Sequence, residues 1–250
     1  MSVQFVIVGA PRTGSTLLVK TLNTLDDVRC HGELLGVNGV RGYEDGFDPA
    51  NASQAQRDAR MTRLFEQRRA DPLGFIQQAL SSDCAATGFK ALYAALQHPD
   101  WQAVVDDLLS RSTRFVHLLR NNELRRYVSE QILLAGGPIH SGAGGRSEQS
   151  VSVHIDIDAF ASAREAMRNE AQQVRERLAG CPLLELDYEA LSRDTAGTVA
   201  GVCRFLGVQV EPRAIVPALR KVGAADLRAV VSNYDELLAS EVTRELLLAD

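Results

Sequence analysis

Near its start the chain reads Phe5-Val6-Ile7-Val8-Gly9-Ala10-Pro11-Arg12-Thr13-Gly14-Ser15-Thr16-Leu17-Leu18. The unbroken apolar run from Phe5 to Val8, rich in β-branched residues, reads as a short strand covered on both faces. Ser15 to Leu22 has the spacing of an amphipathic helix, and a glycine-bounded turn joins the two. A strand that passes through such a turn into a helix N-terminus makes an anion site. The loop amides converge on one point, and the helix dipole adds roughly +0.5 charge there. The expectation is a cradle for phosphate or sulfate.

The spacing Gly9-x-x-x-x-Gly14 is that of a nucleotide-binding loop, but Ser15 stands where a nucleoside triphosphatase carries Lys. Arg12 lies inside the loop instead. Arg offers a planar fork to two oxygens at once, whereas the lysine of such loops acts as a point charge. The chemistry therefore departs from that of triphosphates. A ligand-free turn is the plain alternative, and a loop that only has to turn has no use for Arg, Ser and Thr together.

Pro11-Arg12-Thr13-Gly14-Ser15-Thr16-Leu17-Leu18 resembles the 5′-phosphosulfate loop of sulfotransferases, in a bacterial form with Arg in place of the commoner Lys. The segment from Leu118 to Ser129 resembles the 3′-phosphate motif of the same family, in which an Arg at a strand end (Arg120) and a Ser on the next helix (Ser129) hold the 3′-phosphate of the adenosine carrier. The Arg-to-Ser interval is one residue longer than in the common pattern. The neighbouring Arg125 and Arg126, taken singly, read as a solvated basic helix face. Leu186-Asp187-Tyr188-Glu189, followed by Phe205-Leu206-Gly207, is similar to a mostly structural segment of the family, so Tyr188 and Glu189 receive no catalytic role. Arg220-Lys221-Val222-Gly223 and Ser232-Asn233-Tyr234-Asp235 are similar to the C-terminal segment of bacterial carbohydrate-type members, those acting on trehalose or lipopolysaccharide. Lys221 either reaches the cofactor phosphates or is an exposed helix residue.

The resemblance implies a three-layer αβα sandwich with a mainly parallel sheet, the P-loop-like sulfotransferase fold. It implies 3′-phosphoadenosine 5′-phosphosulfate as donor, adenosine 3′,5′-bisphosphate as product, and no metal. Arg12 and the amides of Thr13, Gly14, Ser15 and Thr16 are expected on the 5′-phosphate. The acceptor needs a base, and the segment after the first helix offers His31 and Glu33. His31 has a suitable ordinary pKa but lies on a strand and can point into the core. Glu33 follows Gly32, which frees the backbone to turn, and Gly-Glu at this place resembles the catalytic Glu of the carbohydrate-type enzymes; an exposed loop carboxylate or an Arg12 partner is its plain alternative. Two other functions are open: a P-loop nucleotide or small-molecule kinase, and a non-catalytic binder of the bisphosphate. The missing loop lysine speaks against the kinase.

The remaining pattern is an alternation of strands and helices, which predicts a parallel sheet covered on both faces. Further strands are expected at Val28 to His31, Ala85 to Leu92, Arg114 to Leu119 and Pro182 to Leu186. Helices are expected over 54–69, 73–80, 101–109 (capped by Asp100), 123–134 (capped by Asn121), from Asp156 or Asp158 to Leu178, 195–206, 215–222 and 227–238. Two loops stand out: 36–51, longer than a connection needs and so a candidate lid, and the glycine-rich run 142–147. At 250 residues with no composition break, the chain suits one domain, 1–250. A net charge of −5 argues against nucleic acid while leaving 27 Lys and Arg for a local basic pocket. Cys30, Cys84, Cys181 and Cys203 are widely spaced, which suits reduced thiols. With no apolar leader or spanning segment, a cytoplasmic protein is expected. Its partner is a small-molecule or carbohydrate acceptor, and a homodimer is left open.

Overall fold

The computed structural model describes residues 2–137, 151–218 and 226–249. Five strands, β1 (Val3–Gly9), β2 (Val28–Glu33), β3 (Ala86–Leu92), β4 (Arg114–Leu119) and β5 (Leu183–Asp187), form one sheet in the order β2-β3-β1-β4-β5. All four pairings are parallel. The chain steps from β1 outward to β2, returns to β3, and then crosses to β4 on the far side of β1. The crevice outside the carboxyl end of β1 is thus the switch point, where open α/β sheets bind their ligands.

The helices are α1 (Ser15–Leu22), α2 (Gln54–Ala70), α3 (Pro72–Ala79), α4 (Tyr93–Gln97), α5 (Gln102–Ser110), α6 (Glu123–Leu134), α7 (Ile157–Arg177), α8 (Tyr188–Arg193), α9 (Thr195–Leu206), α10 (Tyr234–Ala239) and α11 (Arg244–Leu248). Alternate residues of β1 serve opposite cores. Val6 and Val8 pack with Phe75, Ile76, Val104 and Val174 from α3, α5 and α7, whereas Phe5 and Ile7 pack with Leu18, Leu22, Leu191 and Val202 from α1, α8 and α9. The continuous apolar run of the sequence is this two-faced burial. A third cluster joins Leu124 and Val128 of α6 to Phe160 of α7 and to Leu227, Val231, Leu237 and Leu247 near the C-terminus. No helix among the described residues is long and apolar enough to cross a membrane.

Several boundaries differ from expectation for local reasons. The cap of α6 is Asn122, not Asn121: its side chain accepts from the Arg125 amide at 3.0 Å. Asp100 does not cap α5, because a single 3-10 turn (Pro99–Trp101) precedes that helix and His98 caps the turn. The stretch 227–238 is not one helix: a 3-10 turn at Leu227–Ala229 is followed by Val231, which bridges to Val153, and α10 begins only at Tyr234. Pairing across the tail outweighs helical periodicity there. The expected helix 215–222 falls partly outside the described residues, and 215–218 are not helical. The glycine-rich run 142–147 and Lys221 lie outside the described residues.

Candidate active site at the carboxyl edge of the sheet

The loop between β1 and α1 is built around two unusual backbone positions. Gly14 has φ 84°, and a Cβ there would meet the Tyr188 ring at 2.4 Å, so only glycine fits. Arg12 has φ 67° and is the one non-glycine residue with positive φ among the described residues. Such a conformation costs of order 1–3 kcal/mol, and strain of this kind collects at functional sites. Thr13 is buried, and its hydroxyl donates to the Ala10 carbonyl at 2.8 Å, tying the loop from within. Gly14 is the N-cap of α1, and no side chain among the described residues caps that helix, which leaves its first-turn amides without an intrahelical partner at the head of the crevice.

Arg12, Arg120 and Ser129 come together, although they lie on three elements. Arg12 Nε donates to Ser129 Oγ on α6 at 3.0 Å. Arg120, just beyond β4, donates from a terminal nitrogen to the Arg12 carbonyl at 3.0 Å and lies over the Tyr188 ring, 4.5 Å from its centroid. Its buried Nε has no partner among the described residues. Burial is the main cause that pulls the pKa of both Arg12 and Arg120 below the usual guanidinium value. Arg125 and Arg12 add to the pull on Arg120, while Tyr188 and Glu189 oppose it. An anion placed among these cations relieves that cost. Arg126 differs from its expected solvated state: it is buried and pairs with Glu130 at 2.9 Å.

At the other side of the loop, one irregularity decides which acid–base candidate reaches the site. His31 pairs with Phe89, but Glu33 pairs with Lys90, so two residues of β2 match one step of β3. This is a β-bulge, which turns the strand's side chains over. Without it His31 and Glu33, two apart, point to one face. With it His31 stays on the α3 face with Phe89. Glu33 joins Lys90, which lies beside Ile7 on the α1 face. Gly32 allows this by close approach rather than by turning the chain: its amide donates to the Gly42 carbonyl at 2.7 Å, and a Cβ would meet the Arg41 carbonyl at 2.5 Å.

His31 is accordingly spent in the core. Its Nε2 donates to the Ala79 carbonyl at 2.8 Å and its Nδ1 accepts from the Glu44 amide at 2.9 Å. Burial is the main cause holding its pKa below the ordinary value. The neutral ring has no lone pair left for an acceptor's proton. Glu33 instead forms an ion pair with Lys90, Oε1 to Nζ at 2.8 Å, and Lys90 also reaches the Thr16 hydroxyl at 3.4 Å. Base candidate, lysine and cradle are thereby linked. The sequence reading missed Lys90, a lone cation in a weak strand pattern; its one signal was a charge within a segment whose neighbours are apolar.

The loop 34–53 carries no regular structure, yet its first part is pinned. Arg68 of α2 is 1% exposed and donates through one nitrogen to the carbonyls of Leu34, Gly36 and Gly39 at 2.7, 2.8 and 3.1 Å. A narrow cleft opens between this segment and the end of β3, with Glu33 and Lys90 in its wall.

A family model described as "Sulfotransferase family" matches residues 4–212. Among solved structures, a sulfotransferase domain from the curacin biosynthetic pathway superposes with a TM-score of 0.57 at 17% identity, covering 99% of this chain and 89% of that one. A sulfotransferase domain from the olefin synthase of Synechococcus PCC 7002 gives 0.53 at 17% identity, covering 91% and 82%. No curated protein sequence matches significantly.

Proposed function

This chain belongs to the sulfotransferase family, and from that premise we propose that it moves a sulfuryl group from 3′-phosphoadenosine 5′-phosphosulfate to a hydroxyl or amine of a small acceptor, with Glu33 as general base. The observation that carries the reading is the bulge at Gly32, which turns Glu33 away from His31 and onto the face of Lys90 and the cradle. The mechanism resembles that of the carbohydrate-type branch, in which the Glu of a Gly-Glu pair at this place is the base. That branch accounts for the base, and the acceptor is a separate question.

The residues present fit the donor. The uncapped first turn of α1 and Arg12 suit the 5′-phosphate, while Arg120 and Ser129, already in contact with Arg12 or its carbonyl, suit the 3′-phosphate. Bound there, the donor supplies an activated sulfuryl group. Arg12 and the amides of Thr13 to Thr16 neutralise charge that grows on the departing phosphate oxygen, and preorganised donors of this kind dominate such catalysis. Glu33 takes the acceptor's proton as the new bond forms. Lys90 holds the carboxylate in place. The four cysteines are unpaired, which supports a cytoplasmic location.

The test is Glu33→Gln, which keeps the shape and removes the base. Calorimetry is expected to show normal bisphosphate binding, and kcat is expected to fall roughly 10²–10⁴-fold. Near-normal turnover removes Glu33 from the reaction. A thermal shift with the bisphosphate but not with ATP–Mg separates the reading from a kinase, and sulfate transfer separates it from a passive binder.

A further inference from the structure

The cleft beside Glu33 limits what the acceptor can be. Apart from Glu33 and Lys90, the described residues that line it are Leu35, Val37, Leu92, Ala94 and Ala95 with their small neighbours Gly36 and Ala91. No hydroxyl, amide or further charged side chain among the described residues faces it. Its volume is about 100 Å³, roughly two-thirds of a cavity that accommodates benzene. Val37, a large apolar side chain at 57% exposed, stands in the wall of this cleft and widens its apolar surface. The wall it belongs to is held rigidly, since Arg68 fixes the carbonyls on both sides of Val37.

We infer that the acceptor is an alcohol whose hydroxyl sits on a short aliphatic segment, with the hydroxyl at Glu33 and the carbons against Leu35, Val37 and Leu92. This rests on the proposed transfer reaction and narrows its acceptor. A sugar carries a hydroxyl on nearly every carbon, and each one pressed against Leu or Ala loses its water partners without gaining new ones. An alkyl segment has nothing to lose and is favoured by leaving water. Glu33 and Lys90 are paired and are the two charged groups in the wall, so they meet the single polar atom of such a molecule.

Ligand-observed NMR on the full chain loaded with adenosine 3′,5′-bisphosphate tests this. The probes are 1-propanol, 1-butanol and 1-pentanol, with xylitol as the polyol of pentanol's carbon count. Affinity is expected to rise about fourfold for each methylene that enters the cleft, and xylitol is expected to give no saturation transfer. Val37→Asp, at an exposed position that tolerates charge, is expected to flatten the series while bisphosphate affinity stays unchanged. Equal affinity for pentanol and xylitol, or a flat series in the unaltered chain, overturns the acceptor class and leaves the transfer reaction standing. Failure to bind the bisphosphate overturns the cofactor reading and this inference with it.

Discussion

Two helix N-termini face the switch-point crevice from adjacent strands, and they are finished in opposite ways. At the start of α6 the Asn122 side chain accepts from the Arg125 amide, and the Glu189 carboxylate accepts from the amides of Asn121 and Asn122 at 3.1 and 3.0 Å. The protein supplies its own anion there. At the start of α1 the cap is glycine, no side chain among the described residues replaces it, and the preceding Arg12 is held in a strained conformation. Both turns carry sequence that resembles a phosphate-binding motif. On the proposed reading, the difference separates two ways of holding phosphate: backbone amides and dipole together with Arg12 at α1, side chains alone near α6.

The largest effect expected from that contrast is on turnover. Arg12→Ala is expected to lower kcat about 10²–10³-fold, because on the proposed mechanism Arg12 meets charge that develops only as the bond breaks. Arg120→Ala is expected mainly to raise the KM for the donor, since the phosphate proposed for Arg120 does not react. Steady-state kinetics on both variants decide this; a KM change alone for Arg12→Ala erases the catalytic half of the contrast. Next in size is the affinity gap between adenosine 3′,5′-bisphosphate and AMP. One charge-assisted contact contributes ~1.5–3 kcal/mol, so calorimetry should give a ratio of about 10 to 150 that shrinks in Arg120→Ala. Equal affinities in the unaltered protein remove Arg120 from the 3′-phosphate.

Smaller effects follow on stability at the closed terminus. Glu189→Ala leaves two amides without an acceptor and is expected to cost ~1–3 kcal/mol, a fall in Tm of about 2–4 °C per kcal/mol. Glu189 is a competing anion beside Arg120, so bisphosphate affinity should not fall, and a large loss of affinity means that Glu189 shapes the donor site as well. Asn122→Ala removes one cap and is expected to cost ~1 kcal/mol; denaturant unfolding is the measurement, and an effect on donor affinity greater than on stability contradicts its structural assignment.

The parts legible in the sequence were those decided within a few residues of one another. The apolar run of β1, the glycine spacing of the loop and the helix over 195–206 each express a local preference, and each forms as the pattern indicates. The caps of α5 and α6 show the limit: a preceding turn takes Asp100 away from the start of α5, and of the neighbouring Asn121 and Asn122 chain geometry assigns the cap of α6 to the second. What only the tertiary structure decided depends on residues far apart. His31 and Glu33 are indistinguishable by period, and the bulge that parts them exists because Gly32 lets Arg41 and Gly42 pack against β2. Lys90 becomes a site residue only when β3 is set between β1 and β2. Ser129 meets Arg12 across 117 positions of sequence. A one-residue offset reverses the face of a side chain at no cost visible in composition, so sequence alone carries the loop and the strands, while the pairing of strands decides which of the two candidates faces Lys90 and the cradle.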